Sequence, residues 1–119
     1  METTTAQDST PQQWAPRECT LSQAGREARA EEFSGTFAET VLRVERPERA
    51  RLRLELEPGP ASASRVAALV AAETECCSFF TFTLTATAGA LTLDVVVPAT
   101  HLPVLDVLAE RATASLRAD

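Results

Sequence analysis

The chain has 119 residues and a formal net charge of −6 at pH 7, a length sufficient for one domain with a single buried core. Its eleven basic residues are all arginine and are interleaved with acidic residues, so we expect no binding to the phosphates of DNA or RNA. No stretch approaches the roughly 18 consecutive apolar residues that cross a bilayer, so we expect no membrane-spanning segment.

The first residues are polar. Residues 1–16 are rich in threonine, glutamine and serine and contain two prolines, which predicts a flexible arm ahead of a single domain at residues 17–119. The arm has no basic region followed by an apolar stretch, so no secretory signal is visible and we expect the protein in the cytoplasm, where thiols stay reduced. The cysteine count of 3 agrees with this, because secreted disulfide scaffolds usually contain an even number.

The first predicted elements are a short strand and a helix. The strand covers residues 18–21 and carries Cys19. The helix after it is expected to end at Pro47, since proline cannot continue a helix. Its inward face is indicated by apolar residues at steps of four and three: Phe33, Phe37, Val41 and Val44.

The later elements complete an α+β pattern. Leucine alternates with charged residues over 51–57, which predicts a half-buried strand. A second helix is expected to run to about Cys76, followed by a hairpin around Ala88-Gly89 and an amphipathic helix over 101–117. The order β-α-β-α-β-β-α predicts a two-layer sandwich with helices on one face of a mostly antiparallel sheet.

Two adjacent cysteines, Cys76 and Cys77, lie at the end of the second predicted helix, in the stretch AAETECCSFFTFTL. A disulfide between them would be strained, because neighbouring Cα atoms are about 3.8 Å apart and disulfides need about 4.4–6.8 Å. The helix C-terminus is the negative end of the helix dipole, and Glu73 and Glu75 add negative charge. We therefore expect poor nucleophiles, unless a soft metal ion deprotonates the thiols and is attracted to the negative surroundings.

A third sulfur is available from Cys19. Three thiolates suit a trigonal Hg(II) or As(III) site, whereas structural Zn(II) usually takes four ligands and its C-x₂-C spacing is absent here. Glu75, Glu73 and His101 are candidates to complete the site or to donate a proton.

Each candidate also has a structural interpretation. Cys19 can serve as a small buried hydrophobic residue. Glu73 and Glu75 can form a solvated helix end, which is the preferred interpretation of Glu73, and His101 can be a surface residue at a helix start. A purely structural role is a weaker interpretation for the cysteine pair, because two sulfurs add little stability to a helix-to-strand junction.

The cysteine pair and its flanks resemble a small actinobacterial domain family. The resemblance is carried by C-T-L at residues 19–21 and by E-C-C-S-F-F within the segment 71–98. The family pattern is E-x-C-C-x-F-F between a helix and a β-hairpin, and this chain departs from it in having Glu75 directly before Cys76. Such domains are similar to the C-terminal metal-associated domain of some MerR-type regulators and to stand-alone proteins of mercury-resistance loci. The resemblance implies metal ligation by Cys19, Cys76 and Cys77, with Glu75 next to the pair. No basic helix-turn-helix precedes the segment, so it implies no transcription-factor role.

The expected function is cytoplasmic, thiol-based binding of a soft heavy-metal ion in metal resistance or sensing. Hg(II) is the first choice, As(III) the second, and Zn(II) a further option. One alternative is an enzyme that cleaves carbon–metal bonds of organomercurials or organoarsenicals, with Glu75 as the proton donor. Others are a dithiol redox protein and a domain that forms a homodimer through its sheet. Binding without catalysis is preferred among them.

Overall fold

The computed structural model describes residues 23–118, which fold into three long helices and one four-stranded sheet. The elements are α1 (Gln23–Thr40), β1 (Val41–Glu48), β2 (Arg51–Leu56), α2 (Pro60–Cys76), β3 (Thr81–Thr87), β4 (Ala90–Val96), a 3₁₀ turn (Ala99–His101) and α3 (Leu102–Ala118). The predicted α+β class is confirmed, and the predicted helices and strands within these residues occur in the predicted order. The predicted arm and the predicted strand at 18–21 lie outside the described residues.

The sheet is antiparallel throughout, with the strand order β1-β2-β4-β3. Successive side chains of a strand point to opposite faces, and one face is apolar and buried: Leu52, Leu54 and Leu56 of β2 with Leu91, Leu93 and Val95 of β4. The other face presents charged and threonine side chains. All three helices cover the apolar face, with α3 against β1 and β2, α2 against β3, and α1 in contact with both helices. The result is the expected two-layer sandwich.

Strand β1 occupies residues that were predicted to continue the first helix. The helix ends at Thr40, not at Pro47, and Val41 and Val44 pair with Leu56 and Leu54 of β2. β-Branched residues favour strands over helices, and the backbone carbonyl of Thr40 accepts a hydrogen bond from the N–H of Glu57 at 2.6 Å. Phe33, Phe37 and Val41 are spaced by four residues across the helix–strand boundary, so the apolar pattern resembles that of a longer helix.

The core between the layers is closed by aromatic and leucine side chains. Phe33 and Phe37 of α1 are buried and meet edge to face, with ring centroids 5.6 Å apart, a favoured aromatic geometry. Leu105 and Leu108 of α3 are fully buried beside them. No helix within residues 23–118 combines the length and apolar character needed to cross a membrane.

Candidate thiol site

Helix α2 places the cysteines by the spacing of its buried face. Val66, Val70 and Glu73 are buried at steps of four and three residues, and Cys77 follows Glu73 after four more. The N–H of Cys77 donates to the carbonyl of Glu73 at 2.7 Å, and the backbone then turns to an extended conformation with φ −127° and ψ 95°. Cys77 is therefore the last residue held to the helix, and its side chain lies in the core.

The two thiols have different surroundings. Cys77 is 0% exposed, whereas Cys76 is partly exposed, and both are thiols with no disulfide. Adjacent helical positions are separated by about 100° around the axis, so the neighbours cannot both face the core. Cys76 is consequently the sulfur that a solute meets first.

Glu73 is fully buried, which corrects its interpretation as part of a solvated helix end. Its Oε1 accepts a hydrogen bond from Nη1 of Arg29 at 2.8 Å, and the Arg29 side chain is only 14% exposed. A carboxylate in the core needs a partner of this kind, because burying an isolated charge is costly. Glu75, the preferred proton donor of the enzymatic alternative, is exposed.

Arg29 brings a positive charge to the cysteines. Partial burial alone would lower the pKa of the Arg29 guanidinium. The hydrogen bond and charge of Glu73 outweigh this effect, with smaller contributions from Cys76 and Glu32, so the pKa of Arg29 is raised above its usual value. Arg29 thus lies within electrostatic range of Cys76. Helix α1 thus adds a cation to the negative groups that local sequence places around the thiols.

Two ion pairs show how α1 and α2 lie against each other. Arg29, near the start of α1, pairs with Glu73 near the end of α2, while Glu39, near the end of α1, pairs with Arg65 near the start of α2. The helices are therefore antiparallel. The first residue of α1 lies at the cysteine end of α2.

His101 packs on the segment that follows the thiols. Its ring stacks on Phe79 with centroids 4.3 Å apart and planes at 12°, and its Nδ1 lies 3.0 Å from Oγ1 of Thr100. The residue is at a helix start, as predicted, and it is partly buried. The His101 ring thus packs on Phe79, two residues beyond Cys77.

The described residues alone do not assemble a three-ligand metal site. Among residues 23–118, no three His, Cys, Asp or Glu side chains are placed to hold one ion. The predicted third sulfur, Cys19, lies outside this range. Cys76 and Cys77 are adjacent, Glu73 pairs with Arg29, Glu75 is exposed and His101 stacks on Phe79.

Arg29 is the site residue that sequence reasoning missed. It lies four residues before Phe33 and so falls on the apolar face of α1, just as Glu73 lies between Val70 and Cys77 on the apolar face of α2. Opposite charges on the inward faces of two helices are a signal for a buried pair. The spacing of Arg29 and Glu73 from their apolar neighbours therefore indicates the pair in the sequence itself.

The chain matches no protein-family model, no curated protein and no solved structure.

Proposed function

We propose that this protein binds a thiophilic heavy-metal ion in the cytoplasm, Hg(II) first and As(III) second, in metal resistance or sensing. The observation that carries the proposal is a pair of adjacent thiols at a helix end, one of them partly exposed and neither in a disulfide. Thiolates select soft ions over Mg²⁺ or Ca²⁺. The resemblance to domains of mercury-resistance loci supports the same assignment.

The antiparallel packing of α1 and α2 supports Cys19 as the third sulfur. Gln23 begins α1 about 9 Å beyond Arg29 along the helix axis, in the direction of the cysteine end of α2. Cys19 precedes Gln23 by four residues, a length of chain that spans at most about 14 Å. This reach is sufficient for the sulfur of Cys19 to approach Cys76.

The charges of the site suggest how many sulfurs each ion uses. Arg29 offsets the charge of Glu73, so two thiolates leave two negative charges, which the divalent Hg(II) cancels. Three thiolates leave three negative charges, which As(III) cancels. We therefore expect Hg(II) to depend on Cys76 and Cys77, and As(III) to depend on Cys19 as well.

The experiment is a titration of the reduced full-length protein with Hg(II) and, separately, with As(III), in the presence of a competing small thiol. Ultraviolet thiolate-to-metal absorption reports binding. A Cys76→Ser/Cys77→Ala variant should bind either ion more than about 100-fold more weakly, beyond the 10–100-fold loss typical of an outer-sphere partner. Alanine at position 77 avoids placing an unsatisfied hydroxyl in the core. Circular dichroism confirms that the variant is folded.

A Cys19→Ser variant provides the comparison. It should weaken As(III) binding strongly and Hg(II) binding by less, and Ser78→Ala, at an exposed position next to the pair, should change neither. If the Cys76→Ser/Cys77→Ala protein binds Hg(II) as tightly as the unmodified chain, the proposal is wrong. Equal effects of Cys19→Ser on both ions would contradict the charge argument alone.

A further inference from the structure

We infer that this protein pairs with a second copy of itself along the outer edge of β3, so that two sheets become one continuous sheet. The inference is independent of the thiol site and of the proposed metal. Within residues 23–118, β3 pairs with β4 on one side only and is an edge strand of the sheet. An unpaired edge presents a row of backbone groups that a further strand can bind.

The two edges of the sheet differ in their protection against such pairing. The opposite edge strand, β1, contains Pro47 and four charged residues, and its register with β2 shifts twice. Proline, charge and bulges are the usual means of blocking an edge. Strand β3, with the sequence TFTLTAT, has none of them and pairs with β4 in unbroken register.

The hairpin geometry determines which backbone groups face outward from β3. Thr87 and Ala90 flank the two-residue turn and form a hydrogen-bonded pair in this type of hairpin. Hydrogen-bonded and non-hydrogen-bonded pairs alternate in an antiparallel ladder. The N–H and C=O groups of Phe82, Leu84 and Ala86 therefore point away from β4, toward the open edge.

The edge is complementary to itself. An antiparallel pairing centred on Leu84 places Leu84 opposite its equivalent in the second copy, and Phe82 opposite Ala86, with about six inter-strand hydrogen bonds. On the outer face it places Thr83 opposite Thr85, and cross-strand threonine pairs are favourable. Phe82 and Leu84 are only partly buried within the single chain, so a second strand would cover apolar surface that is now exposed.

The flank of α2 above this edge continues the uncharged surface. Helix α2 contacts α1 on one side and β3 below, and the residues on its other side are small and uncharged: Ala63, Ser64, Ala67, Ala71 and Thr74. Charged residues make up 24% of the chain, yet they are absent from both this flank and β3. Interface cores are depleted in charge, and small side chains let two copies of α2 approach closely across the dyad.

Light scattering coupled to size-exclusion chromatography, on the reduced full-length protein over a dilution series, tests the inference. The expected mass is twice that of the chain. A Thr83→Lys/Thr85→Lys variant changes two exposed side chains and would place lysine opposite lysine in the paired edges, so the dimer dissociation constant should rise at least about tenfold. An Ala38→Lys/Ala114→Lys variant, exposed on α1 and α3, adds the same charge elsewhere and should remain dimeric.

A second variant, Ala67→Glu/Ala71→Glu, changes only the exposed flank of α2 and should also favour the monomer. In the dimer, amide hydrogens of Phe82, Leu84 and Ala86 should exchange more slowly than in the dissociated variants. A protein that is monomeric at every concentration would overturn the inference. This includes the case in which the chain's own residues before Gln23 cover β3. A dimer that both variants leave intact would overturn it as well.

Discussion

Glu73 occupies a position on α2 that would normally be apolar. It lies in the core between Val70 and Cys77 and is held by Arg29 across the interface between two helices. Replacing such a pair with hydrophobic residues can be neutral, but removing one partner leaves a buried charge without compensation. The pair therefore links α1 to α2 near the cysteine end of α2.

Removal of one partner of this pair should destabilise the protein severely. We expect Arg29→Ala to lower the free energy of unfolding by about 3–5 kcal/mol, because it removes the cation that is hydrogen-bonded to the buried Glu73 carboxylate. Arg53 is the control, since its 2.9 Å bond to Asp94 lies on the outer sheet face and its side chain is 42% exposed. Arg53→Ala should cost much less, because solvent screens an exposed ion pair. Urea unfolding measures both, and equal losses would contradict the argument.

The sequence predicted the site only in part at this scale. The cysteine pair and its position at a helix end follow from local sequence. The burial of Glu73 and its pairing with Arg29 depend on the way two distant helices pack, since 44 residues separate the partners. The charges close in sequence to the cysteines are negative, whereas the cation, Arg29, lies on a different helix.

At the scale of elements, the predictions were accurate where turn residues mark the boundary, and the end of the first helix predicted from Pro47 was wrong. The strand at residues 51–57 and the hairpin around Ala88-Gly89 could be predicted from apolar–polar alternation and turn residues alone. Strands β2, β3 and β4 are observed there. The junction of α1 and β1 has no such marker. Thr40 and Val41 are neighbours in sequence but belong to different elements, and the pairing of β1 with β2 decides the boundary.

The hairpin turn allows a test of backbone strain. Ala88 has φ 52° and Gly89 has φ 80°, as in a type I′ turn, which favours Asn-Gly. Ala88→Asn should raise the free energy of unfolding by about 0.5–1 kcal/mol, because asparagine tolerates positive φ better than alanine. Ala88→Val should lower it by at least about 1 kcal/mol, since β-branched residues are strained there. Thermal unfolding compares the two, and a change in the same direction for both would contradict the assignment.

At the scale of the whole molecule, the fold depends on one apolar layer between the sheet and the helices. Leu54 of β2 is 0% exposed within that layer, whereas Leu42 of β1 is 53% exposed. We expect Leu54→Ala to lower the free energy of unfolding by about 2–5 kcal/mol and Leu42→Ala to change it by about 0.5 kcal/mol or less. Denaturant unfolding with both variants checks this, and a large loss for Leu42→Ala would show that β1 has a buried outer surface.

The antiparallel packing of α1 on α2 has a practical consequence for measurement. The backbone that enters α1 at Gln23 does so at the end of the molecule where α2 reaches Cys76. A dye attached at the start of α1 would lie near Cys76, close enough for its fluorescence to be quenched by a heavy-metal ion of the kind proposed to bind there. The topology thus offers the start of α1 as an attachment point for an optical reporter of the thiol pair.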